Sequence, residues 1–150
     1  MDTHEAVRIA AILCRRFEGL YLRPYLCPAG VPTIGYGATF YENGVKVSMK
    51  DKPISKERAE ALLLWHLRHG FLPGVMKLCP KVDTPARLGA LLDFAFNLGL
   101  GNLKASTLRK RVNQGNWLDA QVQVMKWNKA GGKVLRGLTI RRTAERDLFQ

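Results

Sequence analysis

Glu18, Cys27 and Thr33 stand at intervals of nine and six residues in the stretch FEGLYLRPYLCPAGVPTIGYG, positions 17–37, where Glu18 is the sole acid. Each of these side chains can do chemistry. A carboxyl beside Phe17, Leu20, Tyr21 and Tyr25 would be desolvated, which disfavours its charged form, as a general acid requires. Taken alone, Glu18 fits equally an ordinary solvent-facing residue or the ion-pair partner of an arginine. Cys27 can be a nucleophile, a weak general base, a redox thiol or a small buried hydrophobe. No histidine follows it at a distance that would indicate a Cys–His protease. Thr33 offers a hydroxyl, but also the β-branched shape that any strand favours. His66 and His69 lie three apart and could share a helix face. No other ligand nearby completes a site, so neither a metal nor a cofactor is expected. Phe94 and Phe96 lie two apart in a helical stretch, so one centres the buried face and the other can line a cleft.

Something must hold these groups in place. Apolar residues at 7, 9, 10, 12, 13 and 17 predict an amphipathic helix over 3–17, capped by Asp2 or Thr3 and ended near Gly19. Pro24, Pro28 and Pro32 then forbid helix. The β-formers and glycines that follow, with Asn43-Gly44 as a hairpin signal, predict a small antiparallel sheet from about Arg23 to Val47. A second helix is expected from Ser55 to about His69, stopped by Gly70 and Pro73. Thr84-Pro85 opens a strongly apolar helix that runs to Leu98. Shorter helices are expected at about 106–113 and 117–127, then a loop at 130–132, then a basic helix from Leu138 or Thr139 to Phe149. The fold class is α+β and mostly helical: one domain over 1–150, with a sheet lobe at about 19–52. The helical lobe takes 55–150 together with the first helix.

The chain has 150 residues, of which 47% are hydrophobic, enough for a real core. Lys and Arg number 24 against 12 acids, a net charge of +12. Such a field attracts polyanions, whether nucleic acid, anionic membrane or acidic wall polymer. The three cysteines, Cys14, Cys27 and Cys79, are too few and too widely spaced for a disulfide framework or a zinc site. No run reaches the roughly eighteen apolar residues that span a membrane. Arg8 interrupts the apolar N-terminal stretch, so no secretory leader is expected. The producing cell's cytoplasm is the default compartment.

The combination is more specific than its parts. The pattern Glu-x8-Cys-x5-Thr, with a helix end before it and GVPTIGYG across it, resembles the phage-type lysozymes, muramidase endolysins with a Glu-x8-(Asp/Cys)-x5-Thr triad. Three further stretches are similar to that family: LLDFAFNLGLGNLKASTLRKRVNQG at 91–115, Trp127 followed by KAGG at 129–132, and GLTIRRTAE at 137–145. The resemblance covers about Ala6 to Phe149. It implies a two-lobed lysozyme-like fold that hydrolyses the β-1,4 bond between N-acetylmuramic acid and N-acetylglucosamine in peptidoglycan. Glu18 would be the general acid, Thr33 would hold the attacking water, and Arg141 would pair with Glu18 and orient it. Thr39 and Phe96 would line the sugar groove, with Thr107 and Gln123 as weaker candidates for the same groove.

Many members of that family carry Asp where Cys27 stands. A thiolate can replace a carboxylate as base or as electrostatic stabiliser only if its pKa is depressed. Cys14, one turn before Glu18, could reach Cys27 in a disulfide under oxidation. The arginines of the last helix (Arg136, Arg141, Arg142, Arg146) and the cations at 104–111 are expected to steer the protein to anionic envelope polymers. The resemblance further implies a monomer that waits in the host bacterial cytoplasm and meets the wall once the membrane is permeabilised. Two rivals remain at this stage. A lytic transglycosylase would also use one Glu, but would leave an anhydro sugar. A basic nucleic-acid module would explain the charge but not Glu18 beside an aromatic hairpin, so no nucleic-acid partner is expected.

Overall fold

The computed structural model describes residues 1–150. Helix α1 (Thr3–Glu18) starts where the Asp2 side chain accepts from the Glu5 N–H, satisfying a donor with no partner inside the helix. It ends at Gly19, whose φ of 75° favours a residue without Cβ. Strands β1 (Tyr21–Leu26) and β2 (Pro32–Gly35) follow as an antiparallel hairpin. Its register is irregular between Tyr21 and Tyr25. Pro24, which has no N–H to give the ladder, lies in that interval. The sheet expected out to Val47 is smaller than its sequence predicts. Beyond Gly35 only isolated bridges remain, Ile34 to Ala38 and Phe40 to Lys46. The Asn43-Gly44 turn does form, with Gly44 at φ 83° and Asn43 Oδ1 accepting from the Val45 N–H.

Helix α2 (Lys56–Trp65) is capped by Ser55, as expected. The stop expected at Gly70 and Pro73 does not occur. A π-helical stretch (His66–Phe71) carries the chain into α3 (Leu72–Leu78). The Leu72 N–H donates to Leu67 O, one residue further back than in an α-helix. That shift brings Pro73 into the first turn of α3, where a missing N–H costs little.

Helix α4 (Pro85–Leu98) is the central rod, capped by Thr84 and with every residue from Leu88 to Ala95 buried. Burying one of its Leu or Phe side chains stabilises by about 1.5–3 kcal/mol. Gly89 lets α1 lie close: a Cβ there would stand 2.7 Å from Ile9 Cγ2. After α4 come α5 (Leu100–Ala105), unforeseen from the sequence, then α6 (Thr107–Asn113) and α7 (Trp117–Met125). The expected loop at 130–132 is the tip of a second hairpin, β3 (Lys129–Ala130) and β4 (Lys133–Val134), turned by Gly131 and Gly132 at positive φ. Helix α8 (Arg136–Leu148) closes the chain and packs on α4 and α7.

The fold is mostly helical, with a small hairpin unit beside a larger helical body. The main core gathers 25 buried residues, most of them from the helices, with Tyr36, Cys79, Val82 and Phe149 from the connections and the chain end. A second cluster, Ile34, Ala38, Val47 and Leu62, anchors the hairpin unit on α2. No helix is long and apolar enough to cross a membrane.

Candidate active site

The last residue of α1 is Glu18, and its side chain is 22% exposed. Gly37 passes beside it, so close that a Cβ there would lie 3.0 Å from Glu18 Oε1. From α8, Arg141 Nη1 donates to Glu18 Oε2 at 2.5 Å. The other edge of the same guanidinium donates twice to Asp93 of α4, from Nε to Oδ2 at 3.0 Å and from Nη2 to Oδ1 at 2.7 Å. One planar fork thus spans two carboxylates, a geometry that a lysine could not reproduce. Burial opposes the Arg141 charge, but the bonds and charges of Asp93 and Glu18 more than offset it and hold the group protonated.

Two cavities meet at Glu18. One, of about 320 Å³, lies between the hairpin unit and the helices and is lined by Gly37, Thr39, Phe40, His66, Phe71 and Phe96, among others. The other, of about 370 Å³, opens toward α8 past Phe17, Leu135, Leu138 and Arg141. Glu18 and Asn97 line both, so the two form one cleft running past the carboxylate. Thr39 and Phe96 both line the first of these cavities. Phe94 is fully buried against Trp127, while Phe96 faces the cleft and packs on Phe71. Thr107 and Gln123 line neither cavity. Thr107 opens α6 on the exposed surface, and Gln123 donates to Asp119 on α7.

Cys27 and Thr33 sit at the turn of the first hairpin, outside both cavities. The Cys27 N–H donates to Val31 O and the Gly30 N–H to Cys27 O, which closes the loop around the sulfur. Backbone hydrogen bonds from Val31 and then Ala29 hold the thiol below its ordinary value, against a smaller opposing effect of burial. Thr33 is buried and donates its proton to Val31 O at 2.8 Å, so its oxygen remains available only as an acceptor. Tyr25 senses both ends of the triad: burial, then Tyr21, Glu18 and Cys27, push its hydroxyl up.

Cys14 does not approach a disulfide here. It is buried under α4, its thiol donates to Asp93 Oδ1 at 3.3 Å, and all three cysteines are free. Burial, then the Asp93 charge, push its pKa well up. His66 is buried and donates from Nε2 to Phe40 O at 2.8 Å, while His69 packs on Trp65. The steering role expected of the last helix needs correcting. Arg141 and Arg142 are 4% and 0% exposed and bind inside the protein, so neither can meet a polyanion. Arg136, Lys104 and Lys110 are exposed cations of that set.

Sequence reasoning missed three residues around Arg141, namely Asp93, Glu145 and Asn97, and put Arg142 on the surface. Arg142 donates to Asn97 Oδ1 at 2.8 Å, to Glu145 Oε2 at 2.9 Å and to Trp127 O at 3.4 Å. The available signal was Asp93 itself, the lone acid inside the apolar run LGALLDFAFNL.

A hairpin unit beside a helical body, with an arginine-clamped acid at the end of the first helix facing the cleft, defines a lysozyme-type protein. The chain belongs to the phage lysozyme family, which it matches over residues 15–145. It is similar to an endolysin of Bacillus phage B103, 45% identical over 91% of this chain and 51% of the relative. It is also similar to an endolysin of Acyrthosiphon pisum secondary endosymbiont phage 1, 36% identical over 93% of each. The chain spans about half the length of the Bacillus phage endolysins it matches. Among solved structures, the endolysin from Escherichia coli O157:H7 phage FAHEc1 superposes with a TM-score of 0.84 at 34% identity, over 95% of this chain and 90% of that one. The muramidase domain of SpmX from Asticaccaulis excentricus gives 0.79 at 32% identity, over 95% of each chain.

Proposed function

We propose that this chain is an endolysin that hydrolyses the β-1,4 bond between N-acetylmuramic acid and N-acetylglucosamine in peptidoglycan. The observation that carries this reading is Glu18, clamped by Arg141 where two cavities join into one cleft. A sugar chain lying along that cleft presents its glycosidic oxygen to the carboxyl. Glu18 protonates that oxygen as the bond breaks. Thr33 holds the attacking water by accepting one of its protons. The Cys27 thiol, biased toward thiolate by the Val31 and Ala29 N–H groups, is the acceptor for the proton that water loses. Thr39 and Phe96 hold the sugar rings. The protein works as a monomer, held in the host cytoplasm until the membrane is breached. The exposed cations draw it to anionic envelope polymers.

The test is mass analysis of fragments released from purified peptidoglycan. Reducing N-acetylmuramic acid ends are expected. Anhydro ends would reassign the chemistry to a lytic transglycosylase, and intact glycan would overturn the reading.

Gly37 gives a prediction of its own. At φ 85° an Ala would be strained, by about 1–2 kcal/mol. Its methyl would also press on Glu18 Oε1, which Arg141 prevents from swinging away. Gly37→Ala should lower the lytic rate about tenfold or more, the order of loss that misplacing a catalytic group causes. Turbidity assays on protein shown by thermal melting to be folded would check it. A fully active variant would mean the contact is slack.

A further inference from the structure

Behind the cleft lies a buried group of charges that the proposed chemistry does not use. Asp93 on α4 faces Cys14 and Glu18 of α1 and Arg141, Arg142 and Glu145 of α8. Asp93, Arg142 and Glu145 are 0% exposed, and Arg141 is 4% exposed. The ionisable members, with Glu18, are three carboxyl groups and two guanidiniums. The four members inside the core, two acids and two guanidiniums, balance one another, while the third carboxyl, Glu18, stands at the cleft. Arg142 meets both oxygens of Glu145, Nε against Oε1 at 2.7 Å and Nη2 donating to Oε2 at 2.9 Å, as a guanidinium pairs with a carboxylate.

We propose that Asp93 is a positioning residue for the acid Glu18, fixing Arg141 through two hydrogen bonds. The logic follows from the contacts. Arg141 touches Glu18 through one nitrogen and Asp93 through two. Asp93 therefore sets the plane of the guanidinium, and with it the direction from which Glu18 is held. Burial opposes charge on Asp93, but bonds from Glu145 and Arg141 outweigh it and keep that carboxyl below its usual value, so Asp93 meets Arg141 as an anion.

This inference rests on Glu18 as the acid of the proposed hydrolysis, so its test is read beside Glu18→Gln: lysis that survives in Glu18→Gln overturns that reading, whereas wild-type kcat in the variant of Asp93 with Glu18→Gln inactive overturns this one. The test is Asp93→Asn, which keeps the shape of the side chain and removes its charge. With activity corrected for folded fraction, kcat should fall about 10- to 100-fold with KM little changed, the size expected from a misaligned group. A purely structural role would lower the folded fraction and leave kcat of the folded protein unchanged. Wild-type kcat in the folded variant would overturn the positioning role.

Discussion

Glu18→Gln is expected to lower the lytic rate by roughly 10²- to 10⁴-fold, the range that a lost general acid accounts for. Its effect on stability should stay within about 1 kcal/mol, as for other partly exposed ion pairs. The two effects separate because of how Arg141 is held. The introduced amide has nearly the shape of the carboxyl and can still accept from Arg141 Nη1. Arg141 would keep its two bonds to Asp93, so no cation is stranded in the core. What disappears is the carboxyl proton that the proposed chemistry delivers to the glycosidic oxygen. Turbidity loss of outer-membrane-stripped cells, read beside thermal melting, checks both halves. Lysis at the wild-type rate in a folded variant would remove Glu18 from the chemistry.

Much of this arrangement is legible in the sequence, for reasons that differ by residue. Glu18 and Gly19 are readable together, because an amphipathic helix must end where its apolar period meets a glycine. Thr84-Pro85 is readable as a helix start because a capping hydroxyl and a missing N–H both suit a first turn. Phe96 is readable as a cleft residue because Phe94, two positions earlier, takes the buried face. The continuation through Gly70 and Pro73 is not readable. A π-helical stretch shifts the hydrogen-bond register by one residue, and no local propensity announces it. The inner charges fail for another reason. In periodicity, Arg141 and Arg142 look like a solvated basic face, and only the packing of α8 on α4 reveals that this face points inward. A charge count thus overstates the basic surface, since two of its arginines neutralise acids inside the protein. Thr107 and Gln123 rested on resemblance alone, with no local physical signal to place them beside Glu18.

Arg141→Met is expected to be the most destabilising single change at this site, by about 3–5 kcal/mol, the cost of removing one partner from a buried ion pair. Methionine restores the bulk but none of the five-donor fork. Glu18 can turn to water, being 22% exposed, whereas Asp93 has no exposure and would be left with Cys14 and Glu145. Total stability for such a domain is about 5–15 kcal/mol, so the loss is a large share of it. It should also depend on pH. In the wild type, Asp93 is held below the ordinary carboxylate range: burial works against its charge, but bonds from Glu145 and Arg141 outweigh burial. An acid depressed in the folded state contributes stability above its unfolded value, about 3.9, and loses it as the pH falls through the lower folded value. Removing Arg141 removes one of the groups responsible for the depression. The gap between wild type and variant should therefore be widest near neutral pH and narrow below about pH 4, where Asp93 of the variant can take up a proton. Urea unfolding of both proteins at neutral and acid pH measures it. A gap of the same size at both would mean that the loss comes from packing, and that the Arg141–Asp93 charge pair contributes no net stability. Lytic activity should fall in the variant even where it remains folded, because Glu18 then has nothing to hold it in the cleft. The comparison with Glu18→Gln is what gives this result its meaning: one variant keeps the clamp and loses the acid, the other keeps the acid and loses the clamp.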